Sequence, residues 1–94
     1  MSNEKQGQAK DGEVVLYGSD WCGFTKRAVS HLDDLGVAYR YVKVDDEPDA
    51  EQRIADWNNG RAIRPTLDIG GEVFVNPPMP QLDNELRSRG LLTP

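Results

Sequence analysis

Cys22 is the one cysteine in 94 residues and the strongest candidate for a nucleophile in this sequence. It stands in the segment Trp-Cys-Gly-Phe-Thr-Lys-Arg, residues 21–27. A cysteine thiolate attacks disulfides, whereas a cysteine in apolar surroundings is an inert small hydrophobe. The elements around this segment are needed to choose between a reactive and a structural cysteine.

The neighbours of Cys22 favour the thiolate if a helix begins at Gly23. The unpaired N–H groups of a first helical turn and the helix dipole both stabilise an adjacent anion, which lowers a thiol pKa. Thr25 could donate its hydroxyl to the sulfur, and Lys26 could add a positive charge at i,i+4 spacing. The carboxylate of Asp20 would oppose ionisation if it lies close. These effects favour a reactive cysteine and leave a buried structural one open.

Composition and charge exclude several classes of function. A net charge of −5 argues against binding to nucleic acid or to anionic membranes, both of which need a basic face. No stretch approaches the roughly 20 apolar residues of a transmembrane helix. One cysteine cannot build a disulfide framework, so we expect a reduced, cytoplasmic protein. One cysteine and one histidine cannot close a structural zinc site within one chain.

Hydrophobic periodicity divides the chain into alternating elements. The polar residues 1–12 lack periodicity and predict a disordered tail before a single domain at 13–94. Strands are predicted at 13–17, 38–44, 66–69 and 72–76, and helices at 23–35, 48–57 and 81–89. The first helix carries an apolar stripe at Phe24, Ala28, Leu32 and Leu35. The order β-α-β-α-β-β-α predicts an α/β fold, a mixed four-stranded sheet with helices on both faces.

This order places Cys22 between the first strand and the first helix, at the carboxyl edge of the sheet. Two other residues have ordinary structural interpretations. His31 is out of phase with Cys22 on the helix and is predicted to be solvated. Trp57 is predicted to be partly buried packing. For Trp21, lining the site and simple packing both stay open.

The sequence resembles the glutaredoxin family of the thioredoxin fold over residues 13–90. The resemblance rests on the element order, the Trp-Cys-Gly-Phe box at 21–24 and the Arg-Pro-Thr segment at 64–66 before the hairpin. Asn-Gly-Arg at 59–61 and Asn-Pro at 76–77 are most similar to the mycoredoxin-like branch. The resemblance implies a thioredoxin-like fold and thiol–disulfide oxidoreductase activity.

The resemblance also implies roles for individual residues. Cys22 would be the nucleophile, and Pro65 would be a cis-proline facing it, with the Arg64 backbone offered to the substrate. The side chains of Arg61 and Arg64 could meet a carboxylate of a small thiol, although Arg61 could equally be a solvated loop charge. The residues expected to bind substrate flank the thiol: Trp21, Gly23, Phe24, Arg61, Arg64 and Pro65.

Thr25 departs from the two-cysteine pattern, because it stands where dithiol glutaredoxins have a second cysteine. The implied chemistry is therefore monothiol, catalysed through Cys22 and Thr25, with glutathione or mycothiol as co-substrate, no tightly bound cofactor and no metal. The expected partners are the small thiol and thiolated or disulfide-bonded proteins, and a monomer is expected. An iron–sulfur carrier formed by two monomers and a non-catalytic binding module remain alternatives. The sequence does not say whether Thr25 is native or replaces a cysteine.

Overall fold

The computed structural model describes residues 7–92, and its elements follow the predicted order. The strands are β1 (Val14–Gly18), β2 (Arg40–Lys43), β3 (Thr66–Ile69) and β4 (Glu72–Val75). The α-helices are α1 (Gly23–Leu35), α2 (Pro48–Trp57) and α3 (Met79–Ser88). A short 3-10 helix, Val44–Asp46, connects β2 to α2.

The strands form one mixed sheet in the order β2-β1-β3-β4. Strand β1 pairs in parallel with β2 and antiparallel with β3, and β3 pairs antiparallel with β4. Leu16, at the middle of β1, lies opposite Tyr41 of β2 and Leu67 of β3. The mixed four-stranded sheet is confirmed.

Side chains of β1 alternate between two hydrophobic cores because successive residues of a strand point to opposite faces. Val14 and Leu16 belong to the core that receives α1 and α3, and Val15 and Tyr17 belong to the core that receives α2. All five residues of β1 are buried. The helices therefore cover both faces of the sheet, as predicted, and β1 is one of its two inner strands.

The bounds of four elements and one side chain of α1 differ from prediction: β1, β2 and β4 differ by one or two residues at one or both ends, and α3 is Met79–Ser88 instead of 81–89. In α1 the buried residues are Thr25, Ala28 and Leu32. Phe24 is 54% exposed instead, because the buried stripe reaches the first turn through Thr25. Helix α3 begins two residues early, at Met79, because a proline in the first turn of a helix forfeits no intrahelical hydrogen bond.

Residues 7–10 fall within the segment predicted to be a disordered tail, and the structure places them against the hairpin. The N–H groups of Gln8 and Ala9 donate to the carboxylate of Asp68 at 2.5 and 2.8 Å. The same carboxylate accepts the N–H of Gly71 at 3.0 Å. Asp68 is fully buried, so these three donors replace the water that it loses. The rest of the tail, residues 1–6, lies outside the described residues.

Side-chain pairs link the helices to their surroundings. His31 of α1 lies 2.6 Å from a carboxylate oxygen of Asp83 on α3, so the prediction of a solvated histidine is wrong. Trp57 packs edge-on against Tyr17 with ring centroids 5.5 Å apart, which confirms its packing role. Within residues 7–92, no helix has the length and apolar character needed to cross a membrane.

Candidate active site

Cys22 caps the N-terminus of α1, at the end of the loop that leaves β1. Its backbone is extended, and its carbonyl accepts the first helical hydrogen bond, from the N–H of Lys26 at 3.0 Å. The N–H of Cys22 donates to the Ser19 carbonyl at 3.0 Å, which fixes the loop. The thiol is partly exposed and forms no disulfide. The backbone of Cys22 is therefore fixed by hydrogen bonds, while its thiol is accessible to solvent.

The pKa of the Cys22 thiol is lowered below its ordinary value. Burial raises this pKa, but four other contributions together outweigh it. They are the backbone N–H and the hydroxyl of Thr25, the backbone N–H of Phe24, and the positive charge of Arg64. Hydrogen bonds and positive charge favour the thiolate, which is the nucleophilic form.

The carboxylate of Asp20, which was expected to disfavour ionisation of Cys22, has hydrogen-bonding and charged partners of its own. The hydroxyl of Tyr41 donates to Asp20 at 2.9 Å, and the ammonium of Lys43 lies 3.4 Å away. These partners lower the pKa of Asp20. On the other side of the same contact, burial and the Asp20 carboxylate raise the pKa of Tyr41 to about 12.

Thr25 is buried beneath the thiol, with 1% of its surface exposed. Its hydroxyl oxygen accepts the N–H of Ser19 at 3.3 Å. A hydroxyl has one hydrogen and two lone pairs, so accepting this bond leaves the hydrogen free to point at the sulfur. Gly18 makes room for this arrangement, since a Cβ there would collide with the Thr25 side chain.

Residues 61–65, the segment before β3, lie on the other side of the Cys22 thiol from the start of α1. The Arg64–Pro65 peptide bond is cis, as the resemblance implied. The carbonyl oxygen of Arg64 lies 3.9 Å from the Cys22 sulfur. Pro65 is buried, and its own carbonyl accepts the N–H of Asn76 at 2.8 Å. Backbone from two separate segments therefore faces the thiol.

The guanidinium of Arg64 is engaged within the protein, unlike the sequence expectation that it meets a substrate carboxylate. It donates to the Ser19 hydroxyl at 2.7 Å, the Ala62 carbonyl at 2.8 Å and the Glu51 carboxylate at 3.2 Å. Only 14% of its side chain is exposed. Arg61, by contrast, is exposed and able to reach solvent or a ligand.

Aromatic side chains flank the thiol at the surface. Trp21 is 68% exposed and Phe24 is 54% exposed, and Gly23 between them is also exposed. The Arg64 guanidinium lies 5.9 Å from the Trp21 ring, and that of Arg27 lies 5.6 Å from the Phe24 ring. A cleft of about 220 Å³ runs beside Phe24, lined by Arg27 and residues 76–79. Trp21 is thus an exposed side chain next to Cys22 in the chain and is not buried packing.

Sequence reasoning missed two residues of the site, Ser19 and Asp45. The Asp45 carboxylate accepts the indole N–H of Trp21 at 2.6 Å and the hydroxyl of Ser19 at 3.2 Å. From the sequence alone, the acidic run at 45–47 is most simply helix N-terminal charge. A usable signal was present, because parallel β1 and β2 bring their carboxyl ends to the same sheet edge. Among residues 7–92, no cluster of three or more His, Cys, Asp or Glu side chains could hold a metal ion.

Comparison with known proteins agrees with this architecture. The family model for glutaredoxin matches residues 14–74. The crystal structure of the holo form of glutaredoxin C1 from Populus tremula x tremuloides has a TM-score of 0.65 and 28% sequence identity, covering 81% of this chain and 80% of that one. The predicted thioredoxin-like fold is confirmed.

Two curated proteins are also similar. A glutaredoxin from Ricinus communis is 31% identical over 62 residues, which are 63% of this chain and 60% of the length of that protein. Mycoredoxin 1 from Corynebacterium glutamicum is 27% identical over 66 residues, 70% of this chain and 81% of that protein. With a family model that covers most of its length, this chain belongs to the glutaredoxin family.

Proposed function

We propose that this chain is a monothiol thiol–disulfide oxidoreductase that reduces mixed disulfides between proteins and a low-molecular-weight thiol. The observation that carries the proposal is the geometry of Cys22. Its sulfur lies at the start of α1, has a lowered pKa, and lies 3.9 Å from the Arg64 carbonyl beside Pro65. A reactive, partly exposed thiolate beside the Arg64 carbonyl is suited to an extended disulfide substrate.

In the first step, the Cys22 thiolate attacks the small-thiol sulfur of the mixed disulfide. One S–S bond breaks and one forms, which links the small thiol to Cys22 and releases the protein thiolate. That thiolate takes a proton from water. The hydrogen bonds at the start of α1 that stabilise the Cys22 anion also make Cys22 a good leaving group for the second step.

In the second step, the thiolate of a second small-thiol molecule attacks the sulfur of the first small thiol, the one bound to Cys22, and the S–S bond to Cys22 breaks. This forms the disulfide of the small thiol and restores the Cys22 thiolate, so both electrons come from small thiols. Thr25 stands where a second cysteine would provide the intramolecular route, and the chain has no other cysteine. We propose glutathione or mycothiol as the co-substrate and a reducing, cytoplasmic setting, with a monomer as the working form.

The substrate side chains and backbone are proposed to lie along the exposed surface around the thiol. Trp21, Gly23 and Phe24 form one side, and the backbone at Arg64 and Pro65 forms the other. The exposed cations at Arg27 and Arg61 are available to a carboxylate of the small thiol. We assign this carboxylate role to those two residues because the Arg64 guanidinium is already bonded.

The rate of Cys22 alkylation as a function of pH tests the thiolate, and turnover of a peptide mixed disulfide tests the reaction. We expect an alkylation midpoint below the value of about 8.5 of a free cysteine. We also expect turnover with the small thiol as sole reductant, tested separately with glutathione and mycothiol. Cys22→Ser must abolish turnover. A midpoint at or above the free value together with no turnover for either thiol would overturn the proposal in favour of a non-catalytic module.

A further inference from the structure

A network of hydrogen bonds and ion pairs lies behind the thiol and connects three chain segments. It joins the β1–α1 loop at 19–21, the 3-10 helix at 44–46 and the segment 61–65. Asp45 is the residue at its centre. We propose that Asp45 is a positioning residue that fixes Trp21 and Arg64 on either side of Cys22 so that a disulfide can align with the thiolate, an inference that rests on the proposed function.

Asp45 contacts both sides of the site directly. One carboxylate oxygen accepts the Trp21 indole N–H at 2.6 Å. The other accepts the Ser19 hydroxyl at 3.2 Å and lies 3.6 Å from the Arg64 guanidinium. Because the acceptor is a carboxylate, these are charge-assisted interactions, which are stronger than neutral ones.

Arg64 completes the connection to the thiol. Its guanidinium bonds Ser19 and stands 5.9 Å from the Trp21 ring. Its own carbonyl faces the Cys22 sulfur at 3.9 Å. Through its ion pair with the Arg64 side chain, Asp45 therefore helps to fix the Arg64 backbone, which the substrate would meet.

This network opposes reorientation of Trp21, whose side chain is 68% exposed. An exposed aromatic side chain normally samples several rotamers, and ordering it on binding costs conformational entropy. The bond to Asp45 and the contact with Arg64 oppose that freedom before substrate arrives. Ser19 is fully buried, and its hydroxyl donates to Asp45, so the buried donor is satisfied as well.

Asp45 makes no hydrogen bond to Cys22 and is linked to the thiol through Arg64, whose positive charge lowers the thiol pKa. When both rates are measured at a pH at which the thiol of every variant is ionised, the remaining effect of Asp45 is expected on alignment. A bulky disulfide must fit between Trp21 and the Arg64 backbone. A small alkylating reagent such as iodoacetamide needs only access to the thiolate. The two reagents therefore separate positioning from general damage to the site.

The test compares Asp45→Ala, Asp45→Asn and the control Asp46→Ala with the wild-type protein. Asp46 lies next to Asp45 in the 3-10 helix, is exposed, and in the described part of the chain makes no side-chain hydrogen bond or ion pair. For each variant, the rate constant with a peptide mixed disulfide and that with iodoacetamide are measured at a pH above the alkylation midpoint. Fluorescence anisotropy of Trp21, in a Trp57→Phe background, reports the freedom of the indole.

We expect Asp45→Ala to lower the disulfide rate constant about tenfold, since small misplacements of bound groups cost large factors in rate. Alkylation should change less than twofold, and Trp21 anisotropy should fall. Asp45→Asn, which keeps an acceptor oxygen, should recover part of the disulfide rate, and Asp46→Ala should match wild type.

Equal loss of both rates in Asp45→Ala, or disulfide rates and Trp21 anisotropy equal to those of Asp46→Ala, would overturn the positioning role. A wild-type disulfide rate no higher than that of a free thiol would refute the proposed function instead. Trp21 anisotropy and the alkylation rate would still report on the network in that case, so the two failures are distinguishable.

Discussion

The hydroxyl of Thr25 is the group whose removal is most informative, because it serves the fold and the thiol together. Thr25→Val keeps the β-branched shape and the backbone N–H while removing the hydroxyl. The N–H of Ser19 then loses its acceptor at 3.3 Å, and the Cys22 sulfur loses a hydrogen-bond donor. Both the free energy of unfolding and the thiol pKa should change.

The stability change follows from burial. Ser19 and Thr25 expose 0% and 1% of their surface, so water cannot replace the lost acceptor. An unsatisfied buried N–H costs about 1–3 kcal/mol. For a domain of this size, each 1 kcal/mol corresponds to roughly 4–8 °C in Tm. The thiol pKa should rise, because the thiolate loses a donor while the burial that opposes ionisation remains.

Urea unfolding, followed by tryptophan fluorescence, measures the first effect, and alkylation of Cys22 against pH measures the second. Ser30→Ala is the matched control, since Ser30 is an exposed hydroxyl on the same helix and should change stability by less than about 0.5 kcal/mol. Thr25→Ser restores the hydroxyl and should return the alkylation midpoint toward wild type. It should stay somewhat less stable, because the missing methyl group leaves a void.

A Thr25→Val protein with wild-type stability and a wild-type alkylation midpoint would refute the reasoning. So would a Thr25→Ser midpoint as high as that of Thr25→Val, because the hydroxyl would then have no part in stabilising the thiolate. A stability loss without a change in midpoint would limit the role of Thr25 to satisfying Ser19.

Three further predictions concern the same scaffold. Gly18→Ala should lower the free energy of unfolding by about 1–3 kcal/mol, measured in urea, because the new methyl group would collide with Thr25. Asp68→Asn leaves one acceptor oxygen for three N–H donors, which weakens the attachment of residues 8 and 9 to the hairpin. Trypsin should therefore cleave after Lys10 several times faster than in the wild-type protein. An unchanged cleavage rate would argue against the attachment. The folded-state pKa of Cys22 is below its unfolded value of about 8.5. Ionisation of Cys22 therefore stabilises the fold fully above a pH of about 8.5, and this stabilisation is lost as the pH falls through the folded-state pKa. The difference in unfolding free energy between wild type and Cys22→Ser should therefore rise with pH and level off above about 8.5; a flat difference would contradict it.

Element types were predictable because local rules and tertiary packing agree in this chain. Helix α1 ends at Leu35, as predicted, and Gly36 after it adopts the left-handed backbone, with φ 73°, that suits glycine. Pro48 begins α2 as expected, where its missing N–H has no intrahelical partner. Between the strands predicted at 66–69 and 72–76, Gly70 and Gly71 both have positive φ, the backbone conformation that a tight hairpin turn requires.

The network behind the thiol was not predictable in the same way. Ser19, Asp45 and Arg64 are separated by more than 15 residues at each step, and only the sheet brings them together. Sequence patterns showed that Asp45 ends a strand but not which neighbour its carboxylate meets. Phe24 was placed on the wrong side of α1 for a related reason, since periodicity fixes the stripe but not the position at which the core ends.

The inner position of β1 in the sheet has a consequence for motion in the site. Its amides are bonded into ladders with β2 and β3, and all its side chains are buried, so they are expected to exchange hydrogen with solvent only when the whole domain unfolds. The loop that carries the thiol is therefore attached to the slowest-exchanging part of the molecule. The segment 61–65 on the opposite side of the thiol leads directly into β3, which is paired with β1 and β4, so both sides of the site continue into inner strands of the sheet.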